Sequence, residues 1–213
     1  MLFRRFFGRR RDLPPRLGTD TSVSGDTPPP SPLAHLPSAE LQSICDDFWQ
    51  SLGTSANDTR LRYDRYVHAV NALAECDASI FDWVFERLEH PKYDAREQAA
   101  FLVSRLADRN QIPVSQRNPL EDRLRVMALR PWQEDTKEVQ ANTSAVSALA
   151  ALGGKVATDT LKEIVESERW DDDDLSWDAA CELGRLVGQP FAESDDPKMA
   201  ARTWLSDSYG ETD

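Results

Sequence analysis

A chain of 213 residues with 40% hydrophobic and 29% charged residues has the composition of a globular protein, sized for one large domain with a tail. No run of 18 apolar residues occurs, which excludes a membrane-spanning helix. The formal net charge is −12; residues 1–16 hold six arginines and one aspartate, so residues 17–213 carry 19 basic against 36 acidic side chains, a net of −17. A body of that sign repels nucleic acid and attracts cationic surfaces, so no nucleic-acid partner is expected and a basic protein partner is.

The chain starts MLFRRFFGRRRDLPPR. Phe3, Phe6 and Phe7 fall with Leu2 on one helical face, flanked by Arg4, Arg5, Arg9 and Arg10. That pattern has two readings: an interfacial anchor on anionic lipid through residues 1–11, or a basic tail. The polar DLPPRLGTDT follows where the apolar core of a secretion signal should stand, so a cytoplasmic setting is expected, with the inner membrane face as the anchor's target. Residues 12–37 concentrate Pro, Ser, Thr, Gly and Asp and read as a disordered linker. The division expected is therefore 1–37 start and linker, 38–208 folded domain, and 209–213 tail.

From Ser38 the period is helical. SAELQSICDDFWQSL sets Leu41, Ile44, Cys45, Phe48, Trp49 and Leu52 on one stripe. No comparable stretch alternates with period 2, so the body is expected to be all-α. Four segments then share Ala-x3-[Leu/Val]-x2-[Leu/Cys]: Ala69–Leu73–Cys76, Ala99–Val103–Leu106, Ala145–Leu149–Leu152 and Ala179–Leu183–Leu186. Asp64, Asp94, Gln140 and Asp174 stand five residues before each alanine, where an Asp at a helix start accepts free backbone N–H groups. Alanine admits a neighbouring helix closely and the larger residues fill its groove. Gly153 and Gly188 end two of the helices.

Partner helices lie between: ASIFDWVFERLEH with Ile80, Trp83, Val84 and Leu88; PLEDRLRVMALR with Leu120, Leu124, Met127 and Ala128; and ATDTLKEIVESER with Leu161, Ile164 and Val165. RNQIPVSQRNP, residues 109–119, reads as an insertion with two prolines.

LEHPKYDAREQAAFLVSRLAD, residues 88–108, resembles a bacterial HEAT-like repeat, with Asp94 capping, Arg96 just inside the helix and the Ala/Val/Leu stripe. DDLSWDAACELGRLVGQPF, with its closing Gly-x-x-Phe, is similar to the later repeats of that class, and DDPKMAARTWLSD to a closing helix. The helix-start arginine occurs at 96, with Tyr66, Asn142 and Ser176 in the matching positions. The resemblance implies a short right-handed α-solenoid of about four helix pairs plus a C-terminal capping helix, built from units that contact mainly their neighbours. HEAT-like folds include alkylbase DNA glycosylases and bilin lyases, so the resemblance alone does not exclude an enzyme such as a lyase. The glycosylases, however, use a basic groove that this body lacks.

Chemistry-bearing patterns are few. WDDDDLSW, residues 170–177, sets four carboxylates between tryptophans. Counted as a calcium loop from Asp171 it has Ser176 where glycine is needed and Leu175 where an oxygen ligand is needed, so it reads as a turn into a helix. GGKVATDT departs from a phosphate loop at Leu149 and Val156. His35, His68 and His90 share no ligand spacing, and Cys45, Cys76 and Cys181 form no C-x-x-C. No cofactor, metal or catalytic group is expected. Trp49, Trp83 and Trp204 read as core. Trp132, Trp170 and Trp177, with Asp171, Asp172 and Asp173, are the candidate contacts for the Arg and Lys side chains of a partner. The expected function is a non-enzymatic interaction module, adaptor or inhibitor/immunity-type, with a membrane-tethered adaptor as alternative. If the start is an anchor, deleting residues 2–11 will move the protein from the membrane to the soluble fraction; an unchanged distribution makes it only a tail.

Overall fold

Helical periodicity along the chain is realised as nine α-helices among the described residues, with no strand among them: α1 (Ser38–Gln50), α2 (Ala56–Leu73), α3 (Ile80–Leu88), α4 (Tyr93–Asp108), α5 (Val114–Ala128), α6 (Thr136–Leu152), α7 (Gly154–Glu166), α8 (Asp174–Val187) and α9 (Pro197–Tyr209). The structure is a computed structural model and describes residues 31–50, 56–73, 80–131, 136–170 and 174–209. All of these belong to the unit Ser31–Asp213. The protein is all-α over these residues.

The repeated alanines account for much of the packing. Ala69, Ala99, Ala145 and Ala179 are each 0% exposed, and Leu73, Val103, Leu149 and Leu183 are equally buried one turn on. With only a methyl group at the contact, two helix backbones approach and the next residue fills the groove between them. α1 packs on α2, α3 on α4, α5 on α6, and α7 on α8. The even helices α4, α6 and α8 also touch in succession, as do the odd helices α3, α5, α7 and α9. Ahead of α1, Leu33 and Leu36 pack against the same core, and the Ser31 hydroxyl donates to the His68 carbonyl at 2.8 Å.

Several boundaries differ from expectation. Asp64 does not start a helix: it lies well inside α2 and is exposed, because ANDTRLRY contains no Gly or Pro to stop the helix running back to Ala56. Gln140 is likewise inside α6. Asp94 sits in the first turn of α4, where its Oδ1 accepts the Ala95 N–H at 2.9 Å; the residue at the cap itself is Lys92, which makes no side-chain cap bond. The expected insertion 109–119 is partly helical, since α5 starts at Val114 with Pro119 inside it. Pro119 forfeits one helical hydrogen bond. The extra turn is anchored instead by Arg117, which donates to Glu121 at 3.1 Å and to the Leu152 carbonyl at the end of α6. Gly153 (φ +70°) and Gly188 (φ +72°) end α6 and α8 in the left-handed conformation, as expected.

The remaining helix ends are satisfied from a distance. Arg96, 2% exposed, donates from Nη1 to the His90 and Pro91 carbonyls after α3, at 2.6 and 2.8 Å, and from Nη2 to Glu138 of α6. Buried Asn142 of α6 donates to the Ala128 and Arg130 carbonyls at the end of α5, at 3.3 and 2.8 Å. A second set of links spans one unit. Arg109 reaches the Asn71 carbonyl (3.1 Å), Arg185 the Ala150 carbonyl (2.6 Å), and Arg202 the Val165 and Ser167 carbonyls (2.7 and 3.2 Å). Arg123 pairs with Glu89 and Arg125 with Glu163 across the odd helices. These five arginines bridge separations of 34 to 38 residues.

Arg96→Met keeps the aliphatic length but leaves two carbonyls and the Glu138 carboxylate without their donor. Unfolding in urea should show a loss of about 3 kcal/mol. Arg123→Met, which breaks a more exposed pair, should cost under about 1 kcal/mol.

Candidate interaction surface

The turn between α7 and α8 is where tryptophan and carboxylate converge in the sequence. A 3₁₀ turn at Glu168–Trp170 leads into it, with the Ser167 hydroxyl accepting the Arg169 N–H at 3.2 Å, and α8 resumes at Asp174. Trp177, one turn into α8, is 45% exposed although Leu175, Ser176, Ala179 and Ala180 beside it are buried. It is the one partner-contact candidate whose side chain is described. Trp170 ends the 3₁₀ turn, and its side chain lies outside the described set. Trp132, Asp171, Asp172 and Asp173 lie outside the described residues, as do Phe3, Arg4, Arg5, Phe6, Phe7, Arg9 and Arg10.

The even helices turn a mixed face outward. Phe101 of α4 is 37% exposed and stacks at 6.3 Å on Tyr66, which stacks in turn at 4.7 Å on Phe48. α6 contributes the half-buried Thr143, Ser144 and Ala151. Among the tryptophans expected in the core, Trp83 and Trp204 pack against it half-buried, and Arg87 lies 5.5 Å from the Trp83 ring centroid. The side chain of Trp49 is outside the described set.

Charge is distributed unequally between side chains with a partner in the chain and side chains without one. Residues 1–30 hold six arginines and three aspartates, which leaves 19 basic and 34 acidic residues in Ser31–Asp213. Ten of these arginines, and Lys155, are bonded to partners within the chain. Asp82, Glu86, Asp122, Glu166, Glu168 and Asp195 are exposed. None of the six has a hydrogen bond or ion pair among the described residues. The free charge of this surface is negative.

Buried titratable groups sit apart from that surface. Burial pushes the Cys45 thiol up to about 12, with Asp46 adding to the shift, so it stays protonated as a small apolar side chain. Cys181 is half-buried, and Cys76 is outside the described residues. Asp46 is itself raised by desolvation, against the opposing charge of Arg87 with which it pairs. Glu97 of α4 was not singled out by the sequence. Its Oε2 is shielded from solvent and has no hydrogen-bond partner, and desolvation, with a smaller push from Asp94, raises its carboxyl to about 7. The available signal was position, since Glu97 follows Arg96 and precedes Gln98, both buried. No group of three His, Cys, Asp or Glu residues able to hold a metal occurs among the described residues. No helix among them is long and apolar enough to cross a membrane.

A small concavity lies at the C-terminal end. A cleft of about 490 Å³ opens between residues 189–194 and α9, and Phe191 and Trp204 meet in it with ring centroids 5.8 Å apart and planes at 59°. In the sequence Phe191 is the end of the Gly-x-x-Phe resemblance, and Trp204 reads as core within the closing helix. No family model, curated protein or solved structure matches this chain.

Glu97 makes stability depend on pH with a definite sign. The folded chain holds this proton up to about pH 7, while the unfolded chain releases it near the ordinary value of 4.5. The folded state therefore binds more protons between those values, and its stability falls as pH rises through that window. In Glu97→Met the drop in unfolding free energy between pH 5 and pH 8 should be smaller than in the parent by about 2 kcal/mol. Urea titrations at the two pH values measure it, and an unchanged pH dependence rules out the assignment.

Proposed function

We propose that this chain is a short HEAT-like α-solenoid serving as a non-enzymatic interaction module, whose acidic surface takes a cationic protein partner in the manner of an adaptor or an inhibitor/immunity-type protein. The solenoid reading is supported by the succession of helix contacts along each layer and by arginine links that recur at about one unit's separation. Arg96 and Asn142, at equivalent places in successive units, close the same gap at the end of the preceding helix. Both observations favour stacked units of like construction.

One observation carries the functional reading: most basic side chains of the body are committed to partners inside the chain, while many carboxylates face solvent without one. Such a surface raises the local concentration of cationic partners and speeds their encounter. Trp177 at the start of α8 supplies an exposed aromatic beside this negative field, suited to the stem or head of Arg or Lys.

Co-purification with the full chain at low salt, followed by calorimetry with the purified partner, tests the proposal. A basic protein should bind stoichiometrically and lose at least about tenfold in affinity between 50 and 500 mM salt, as screened surface charge requires. Trp177→Ala should weaken the same complex. Binding that is indifferent to salt, or a partner that is itself acidic, refutes an electrostatic contact.

A further inference from the structure

The geometry points to the cleft between residues 189–194 and α9 as a receptor for an arginine side chain, presented by a protein partner. This rests on the reading of the chain as a module for cationic proteins, and gives that reading a defined pocket.

The cleft is held open by local backbone structure. After α8, Gly188 adopts φ +72° and the Gln189 N–H returns to the Gly184 carbonyl at 2.8 Å. Gly184 itself allows that return, because a Cβ there would stand 2.6 Å from the Gln189 carbonyl oxygen and 3.0 Å from Phe191 Cδ2. The Glu193 N–H then bonds the Pro190 carbonyl at 3.0 Å and the Ser194 N–H the Phe191 carbonyl at 3.0 Å, closing a 3₁₀ turn. One wall is thus fixed by hydrogen bonds, and the other is a regular helix.

The lining has a consistent chemistry. Phe191, 5% exposed, and half-buried Trp204 supply two tilted aromatic faces. Glu193 and Asp207 supply two exposed carboxylates that have no hydrogen bond or ion pair among the described residues. Thr203, Trp204 and Asp207 lie within one turn of α9, so the aromatic and charged elements come from one rigid helix face. No cation is among the lining residues. Lys162 approaches the Trp204 ring at 6.0 Å without lining the cleft, so the indole already serves as a cation's neighbour in this fold.

Two aromatic rings and two carboxylates lining one cleft match a guanidinium better than an ammonium. The guanidinium is planar and weakly hydrated, stacks on a ring, and directs its N–H fork at carboxylates in the ring plane. A lysine head is a compact, strongly hydrated point charge, which can sit over one ring but neither stacks on it nor forks between two carboxylates. A neutral ligand would leave both carboxylates unpaired.

The test uses the full chain and N-acetyl-arginine N-methylamide as probe, with its neutral isostere N-acetyl-citrulline N-methylamide as control. The indole N–H resonance of Trp204, assigned by its absence from Trp204→Phe, should shift saturably with the arginine probe and not with citrulline. In a double variant, Glu193→Gln with Asp207→Asn, affinity for the probe should fall at least about fivefold with an unchanged thermal midpoint, both side chains being exposed. Equal shifts with citrulline, a Trp204 signal that does not move, or undiminished affinity in the double variant overturns the inference. The two readings separate on the partner protein: salt-sensitive binding that survives in the double variant keeps the acidic module and rejects the cleft. Loss of salt-sensitive binding in the parent chain rejects the module, whatever the probe does.

Discussion

Helix ends inside a stack of helices present carbonyl groups that neither the helix nor water can satisfy, and this chain meets that constraint chiefly with arginine. Arg96 is the fullest case: it is almost wholly buried, and it bonds the end of α3 and a carboxylate of α6 at once. Burial lowers its pKa while Glu138 opposes the shift, so the charge is tolerated because acceptors surround it. Arg109, Arg185 and Arg202 do the same work at the ends of α2, α6 and α7. Each joins residues 35 to 38 apart in sequence, so the packing of these helices is held by polar links as well as by apolar contact. A guanidinium suits this role because it offers several donors in a rigid fork, at the end of a long apolar stem that packs on the way.

That structural use of arginine has a consequence for the surface. A body with 19 basic and 34 acidic residues starts with a deficit of positive charge, and it then turns many of its cations towards its own helix ends.

The all-α architecture and the positions of the core residues were legible because both follow from period and residue size. The four alanines, the leucines beyond them and the glycine stops at 153 and 188 are local signals, and each was found where its chemistry requires. Helix starts were less legible. Asp64 resembles a cap in spacing, yet a helix continues past it wherever the preceding residues tolerate helix; a carboxylate is a permissive start signal and no barrier to extension. The same limit hid the first turn of α5, where Pro119 suggested a boundary and Arg117, bonded to a carbonyl 35 residues away, removed it. Long-range donors of that kind leave no trace in local pattern. Tyr66, Asn142 and Ser176 stand where the resemblance would place arginine, and only the contacts of Asn142 reveal that an amide does the same job.

Clefts are harder still to read, because they are made by what a residue lacks. Gly184 reads in sequence as one small position on α8, and its role is set by the carbonyl of Gln189 folding back to within a methyl group's reach. Trp204 read correctly as a packing residue, and Phe191 packs with it. What sequence could not supply is that their packing is incomplete on one side, and that Glu193 and Asp207 stand above the gap without partners of their own. Exposed carboxylates stay hydrated at no cost, whereas the aromatic surface beside them is left facing water. The same arrangement rewards a planar cation that replaces that water with stacking and paired charge together. The cleft thus follows from a glycine and a turn, neither of which announces it in the sequence.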